Sequence, residues 1–110
     1  MTTLQNRANR SIDLHGAYIV KTTLRGANLE RATLVGAACS GADFSHANLR
    51  QAVLSRAQMN NCNFRGADLF EAILEQTDLR GADLQGALNL TKEQLLTAIF
   101  DERTKFPAFD

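Results

Sequence analysis

Residues 25–37 read RGANLERATLVGA, and residues 40–52 read SGADFSHANLRQA. In both stretches a large central residue recurs at every fifth position, and a small residue stands two places before it. The register holds without a slip from residue 12 to residue 86, so a unit of five residues, a pentad, repeats throughout that range. The fifteen central residues are all apolar or cysteine, and we predict that they form the core: Leu14, Ile19, Leu24, Leu29, Leu34, Cys39, Phe44, Leu49, Leu54, Met59, Phe64, Leu69, Leu74, Leu79 and Leu84.

A turn in every pentad reconciles this spacing with a continuous core. All seven glycines lie two places after a central residue, where their tolerance of positive φ suits a corner. An α-helix would rotate by about 140° at each step of five and scatter the central residues around its surface. A flat strand would send them to alternating faces, because five is odd. The spacing therefore predicts a chain that coils around an axis.

These stretches, together with RGADLQGA at 80–87, resemble the A(D/N)LXX signature of the pentapeptide repeat family. The resemblance covers residues 12–86. It implies an all-β solenoid, a right-handed quadrilateral parallel β-helix with twenty residues in each coil and just under four coils in this chain. The handedness and the four sides come from the resemblance and not from the spacing alone.

With twenty residues in each coil, the central residues stack in four columns, which we call sides 1 to 4. Side 1 contains the Leu14 column, side 2 the Ile19 column, side 3 the Leu24 column and side 4 the Leu29 column. Phe44 then lies directly below Phe64 on side 3. The cysteines, Cys39 and Cys62, both occupy inward positions, which favours two buried, reduced thiols over a disulfide. The interior is narrow, and we expect no cavity for a substrate.

The repeat ends near residue 89, where Asn stands in place of the apolar residue that is due. We predict three segments: an N-terminal cap or tail at 1–11, the β-helix at 12–88, and a C-terminal helical cap and tail at 89–110. The tail sequence TKEQLLTAIFDERTKFP resembles one attached to many cyanobacterial members of the family.

The C-terminal segment has the pattern of a helix start. Thr91 and Gln94 form a capping-box pattern, and Leu90 and Leu95 are placed as a hydrophobic staple. We predict a helix over about 92–100 that covers the last coil with Leu95, Leu96 and Ile99.

The polar residues do not form a recognisable catalytic, metal or cofactor pattern. His15 and His46 point outward on different sides, and neither has a histidine or cysteine at ligand spacing. Several aspartates that precede central residues are expected to hydrogen-bond near the corners, among them Asp43, Asp68, Asp78 and Asp83. We therefore predict no catalytic residue, no bound metal and no cofactor.

The outward positions contain a few apolar residues that suggest a surface for a partner. Val35, Val53 and Ile73 form a small apolar strip on side 1, and Phe70 occupies a position that is usually polar in this chain. The same residues are also compatible with two roles that need no partner. Val and Ile suit exposed strands, and a terminal segment of the chain could cover the strip.

Charge balance decides between two classes of function. The chain has 12 basic and 12 acidic residues, and residues 12–86 have seven basic and eight acidic ones. Some members of the family are DNA mimics that modulate type II topoisomerases such as gyrase, and such a mimic needs strongly negative faces. This alternative is disfavoured, as is direct nucleic-acid binding, by the balanced charge and the short repeat. We predict a non-enzymatic structural or protein-interaction module.

The sequence also suggests the setting of this module. No stretch has the length or hydropathy of a membrane span, so no membrane partner is expected. We predict an unidentified protein partner and a monomer, or a weak dimer formed through an open coil end. We predict a cytoplasmic location; removal of a leader from a precursor would instead place the chain in a periplasm or thylakoid lumen.

Overall fold

Parallel pairing between residues twenty positions apart organises the chain. In the computed structural model, which describes residues 11–109, twelve parallel bridges have this spacing, from Asp13–Thr33 to Asp68–Leu88. Each is a bridge between single residues, and the described residues contain no strand of two or more residues. Paired residues are four pentads apart, which is the spacing that the family resemblance implied. The predicted N-terminal cap or tail at 1–11 lies outside the described residues except for its last residue.

A β-turn closes each pentad. The amide of the residue three places after a central residue donates to the central carbonyl, as from Ala57 to Leu54 at 3.0 Å. The third residue of each turn has positive φ at every fifth position from Gly16 to Gly86. The predicted corners are confirmed, and the positive φ extends to eight corner residues that are not glycine.

Aspartates brace these turns, as predicted. The Asp43 carboxylate accepts a hydrogen bond from the Ser45 amide at 2.9 Å, and the Asp83 carboxylate accepts one from the Gln85 amide at 3.0 Å. Asp68 and Asp78 make the same bond to the amides two residues on. Each carboxylate thus satisfies a backbone donor that the bend would leave exposed.

The core is a continuous column of the central and small residues. From Leu24 to Leu84 every central residue is buried, whereas Leu14 and Ile19 in the first turns are half-buried. The rings of Phe44 and Phe64 stack with centroids 5.3 Å apart and planes 7° from parallel, which confirms the predicted superposition. Close stacking of this kind is typical of a densely packed interior.

The helix α1 spans Lys92–Leu96 and follows the last regular rung. The Thr91 hydroxyl accepts from the Gln94 amide at 3.1 Å, and the Gln94 side-chain oxygen accepts from the Thr91 amide at 2.8 Å. The predicted length, about 92–100, is wrong because α1 has only five residues. Leu95 is buried, but Leu96 is 76% exposed and does not cover the core.

After α1 the chain rejoins the stack in extended form. Ile99 bridges to Asp78 and Lys105 bridges to Asp83, so the spacing grows from twenty to 21 and 22 residues. The Ile99 amide donates to the Thr77 carbonyl at 2.9 Å, and its carbonyl accepts from the Leu79 amide at 2.7 Å. The helix ends early because these two hydrogen bonds satisfy the edge of the last rung. Ile99, predicted to lie on the helix, instead adds a rung to side 2.

Candidate functional site

Within residues 11–109 the interior contains two thiols. The two cysteines are free and buried, which confirms their predicted inward positions. Burial raises the pKa of the Cys39 thiol and of the Cys62 thiol to about 12, so neither is a thiolate at neutral pH. The Cys62 thiol donates to the Cys39 carbonyl at 2.9 Å. Groups able to meet another molecule therefore lie on the outside.

The structure brings two of the four predicted partner-contact residues into one row. Parallel bridges link Thr33 to Val53 and Val53 to Ile73, so these outward side chains lie one above another on side 1. Val53 is half-buried and Ile73 is 47% exposed. Val35, two residues after Thr33, is half-buried and belongs to the neighbouring row.

Phe70, the fourth predicted residue, lies at the end of side 4. Its ring is 37% exposed and is covered in part by the Arg50 guanidinium, which stands 4.3 Å from the ring centroid. The same guanidinium donates to the Asp68 carboxylate at 2.9 Å. Phe70 is therefore held in place by a cation–π contact and does not join the row on side 1.

Ion pairs neutralise much of the charge on the outer surface. The described residues contain five, formed by Arg31 with Glu30, Arg50 with Asp68, Arg65 with Asp83, Arg80 with Asp78 and Arg103 with Asp101. Hydrogen bonds from the Arg80 guanidinium lower the pKa of Asp78, and hydrogen bonds from Ser45 lower that of Asp43. These carboxylates are ionised at neutral pH and each has a partner.

The histidines and carboxylates do not assemble into a metal centre within the described residues. No group of three or more His, Cys, Asp or Glu side chains there could hold a metal ion. His15 and His46 are both exposed, and the His46 ring lies against the corner at Gly66. A polar depression on side 2 contains Arg80 and Arg103, each paired with a carboxylate that lines the same depression.

A groove of about 380 Å³ lies where side 1 meets α1. Its lining comes from the last rung of side 1 and from α1 with the residue after it: Ala72, Ile73, Leu74, Glu75, Glu93, Gln94 and Thr97. Sequence reasoning identified Ile73 and the Gln94 cap but missed Glu75 and Glu93. The loss of the pentad register at Asn89, followed at once by a capping box, was the signal that the coil is interrupted above side 1.

Within residues 11–109 no helix has the length and hydropathy needed to cross a membrane.

Comparison with known proteins agrees with this architecture. The family model for pentapeptide repeats matches residues 12–51 and 47–86. Among solved structures, the chain is similar to a pentapeptide repeat protein from the thylakoid lumen of Arabidopsis thaliana, at 25% identity and a TM-score of 0.55. That match covers 84% of this chain and 57% of the Arabidopsis chain.

Two further structures are similar at lower TM-scores. HetL, a pentapeptide repeat protein involved in heterocyst differentiation regulation in Nostoc sp. strain PCC 7120, is 28% identical with a TM-score of 0.43, over 87% of this chain and 60% of HetL. QnrB1, a plasmid-mediated fluoroquinolone resistance protein, is 19% identical with a TM-score of 0.44, over 89% of this chain and 72% of QnrB1.

No curated protein sequence matches the chain. The family model alone spans more than half of the 110 residues, and its matches coincide with the repeating pentads. The chain therefore belongs to the pentapeptide repeat family, whose known structures are right-handed β-helices.

Proposed function

We propose that this chain is a non-enzymatic module that binds a protein partner through its outer faces. In this proposal residues 12–88 form just under four coils, and residues 89–110, with their short helix, close the C-terminal end. The observation that carries the proposal is the row of Val53 and Ile73 on side 1, where an apolar side chain is 47% exposed on a hydrogen-bonded scaffold. Proteins of the family are generally non-enzymatic structural repeat proteins.

The regular backbone supports a binding role because it holds the outer rows rigid. The Ile73 amide donates to the Ala52 carbonyl and its carbonyl accepts from the Leu54 amide, both at 2.9 Å. Side chains in one row are then about 4.8 Å apart, as in a parallel sheet. A partner that meets such a row loses little conformational entropy in the module, which favours affinity.

The exposed aromatic at Phe70 also supports this function. Aromatic residues and arginine are the types most often found at the energetic centres of protein interfaces. Phe70 and Arg50 are in contact, and both are partly accessible to a partner.

The alternative role as a DNA mimic is opposed by the charge pattern. A duplex mimic needs rows of unneutralised negative charge. On side 4 the Asp68 carboxylate receives a hydrogen bond from Arg50, and on side 3 Asp83 receives one from Arg65 at 3.2 Å. We expect no inhibition of gyrase supercoiling at micromolar protein, and inhibition there would reverse the ranking of the two functions.

The proposal also covers the oligomeric state and the cellular location of the module. We expect a monomer, or a weak dimer through an open coil end, in the cytoplasm. Two buried, reduced thiols suit a reducing compartment.

The test replaces the apolar row and follows a partner. The variant Val53→Ser with Ile73→Ser and a matched variant on sides 2 and 3, Gln58→Ala with Thr23→Ala, are used as baits against a lysate of the source cell. Captured proteins are identified and rebound in purified form, and self-association is measured by sedimentation. We expect the side 1 variant to lose a partner that the matched variant retains, at an unchanged melting temperature. Equal capture by both would contradict the proposed surface.

A further inference from the structure

Within residues 11–109, one buried backbone donor on side 1 has no acceptor. In the regular part of the stack the amide of each central residue donates to a carbonyl of the rung above, as from Leu34 to Val53 and from Leu54 to Ile73. The Leu74 amide begins the next step of this series, but no described residue accepts its hydrogen bond. Leu74 is only 2% exposed. Native proteins rarely leave a buried amide unpaired, so this donor indicates a position for a missing acceptor.

The acceptor is missing because Lys92–Leu96 form α1 and do not lie extended along side 1. On sides 2 and 3 the chain supplies a further rung itself, through Ile99 and Lys105. On side 1 the Gln94 side-chain nitrogen donates to the Ala72 carbonyl at 2.9 Å, and the Thr97 carbonyl accepts from the Gln76 amide at 2.8 Å. The backbone groups on both sides of Leu74 therefore have hydrogen-bond partners, whereas the Leu74 amide has none among residues 11–109.

The groove above this edge combines apolar residues with negative charge. Its lining includes Ala72, Ile73 and Leu74 from the last rung, together with two acidic residues, Glu75 and Glu93. Within the described residues neither glutamate forms an ion pair, whereas Asp68, Asp78 and Asp83 all pair with arginine. Its volume of about 380 Å³ falls within the range of ligand sites.

We infer that this groove binds an extended basic segment of a partner protein, which adds a short β-rung to side 1. The inference rests on the proposed function and specifies how the partner is held. A carbonyl of the segment accepts from the Leu74 amide, and a β-branched side chain continues the row of Val53 and Ile73. Lysine or arginine residues on either side of it pair with Glu75 and Glu93. Addition of an extended segment to an exposed strand edge is a general mode of peptide recognition.

The first test uses a defined peptide and the full chain. Acetyl-Arg-Thr-Val-Thr-Arg-amide is titrated into isotopically labelled protein, and amide shifts and hydrogen exchange are followed by NMR. Without peptide, the Leu74 amide should exchange faster than the hydrogen-bonded Leu54 amide. With peptide, we expect a saturable downfield shift and slower exchange at Leu74. The peptide with glutamate in place of both arginines is the control and should produce neither effect.

Two variants assign the effect to the groove. Glu75→Lys with Glu93→Lys should weaken peptide binding at least roughly tenfold, because it replaces attraction by repulsion. The matched variant Glu71→Lys with Glu102→Lys changes the net charge equally outside the groove and should leave affinity within about twofold. Equal weakening by both variants would show non-specific attraction and overturn the inference.

The outcomes separate this inference from the proposed function. If no peptide-dependent change occurs at Leu74 but the Val53→Ser, Ile73→Ser variant still loses its partner, the partner contacts the flat outer face and the groove inference is wrong. If the peptide binds as expected but that variant retains every partner, the Leu74 amide and the two glutamates account for binding, and the proposed role of the apolar row is wrong. If the peptide causes no change at Leu74 and the side 1 variant retains every partner, both the groove inference and the proposed function are refuted.

Discussion

Fifteen corner residues, spaced five apart from Gly16 to Gly86, adopt positive φ, and eight of them carry a side chain. Glycine is therefore not required by φ alone at every corner. At three corners it also makes room for the residue twenty positions earlier: Lys21 lies against Gly41, His46 against Gly66 and Asn61 against Gly81. A side chain at one corner leans along the axis, and a glycine above accommodates it.

This arrangement predicts different costs for two glycine substitutions. A Cβ at Gly36 would meet nothing within 4 Å, so Gly36→Ala should cost only the backbone strain of positive φ, about 1 kcal/mol. A Cβ at Gly66 would lie 2.5 Å from the His46 ring, so Gly66→Ala should cost more. Denaturant unfolding measures both. In a His46→Ala background the difference should vanish, and its persistence would refute the proposed crowding.

Because the two thiols are buried, we predict a loss of stability at high pH. Burial raises the pKa of Cys39 and Cys62 from 9.0 to about 12. Below pH 9 the thiols keep their protons in both the folded and the unfolded chain, so the contribution of the buried thiols to stability is fully present. As pH rises from about 9 towards 12, the unfolded chain loses protons that the folded chain retains, and stability should fall by about 1.4 kcal/mol per pH unit for each thiol.

The control for this pH effect is the Cys39→Ala, Cys62→Ala variant. It is less stable at neutral pH because packing is lost, but its stability should fall less steeply between pH 9 and 12. Urea unfolding at several pH values gives the slope for each protein. Identical slopes would contradict the raised pKa values.

At the scale of the elements, the pentads could be predicted from sequence, but the C-terminal segment could not. A five-residue spacing is incompatible with a helix or a flat strand, so the coil and its corners follow from the positions of Leu and Gly. Ile99 and Lys105 occupy rungs at spacings of 21 and 22 residues, and no repeat identifies them. Their place is set by backbone edges at Asp78 and Asp83, which exist only after the coil has formed.

The groove on side 1 was unpredictable for the same reason. Ile73 was recognisable as an exposed apolar residue, but Glu75 and Glu93 line one groove only because α1 follows the last rung above side 1. The capping box was readable from Thr91 and Gln94. The Gln94 side chain also donates to the Leu69 and Ala72 carbonyls. Local sequence does not indicate these contacts, because they join α1 to residues more than twenty positions earlier in the chain.

Gln94 is predicted to hold α1 against the stack. Gln94→Ala removes two hydrogen bonds to backbone carbonyls and the bond to the Thr91 amide, so we expect a loss of about 1–3 kcal/mol. Gln94→Glu keeps an acceptor for Thr91 but has no donor for the carbonyls, so it should recover only part of that loss. Amide exchange at Leu79 and Leu84 should accelerate in both variants. Glu93→Ala is the matched control and should change neither quantity.

At the scale of the whole molecule, stability depends on unbroken stacking along the axis. Leu54 is fully buried with Leu34 and Leu74 in its column, and the small residue Ala52 is buried beside it. Leu54→Ala should cost about 2–5 kcal/mol because it leaves a cavity. Ala52→Leu should cost about 1–3 kcal/mol because the narrow interior cannot expand. Thermal unfolding measures both, and no loss for either variant would contradict a solid core.

The outer surface, by contrast, should tolerate change without loss of the fold. Surface substitutions away from caps and networks usually alter stability by about 0.5 kcal/mol or less. This separation lets variants on side 1 test binding without disturbing the coil. It also explains why the sequence determines the architecture better than the partner, since the repeat constrains inward positions and leaves outward ones free.

The central claim is that residues twenty apart lie one above another around a solid core. Nuclear Overhauser contacts in solution test it most directly. The claim predicts contacts between the rings of Phe44 and Phe64, whose centroids are 5.3 Å apart, and between backbone protons along the row Thr33, Val53 and Ile73. Sequential amide contacts typical of helices across residues 12–86, with no contact at a separation of twenty, would contradict it.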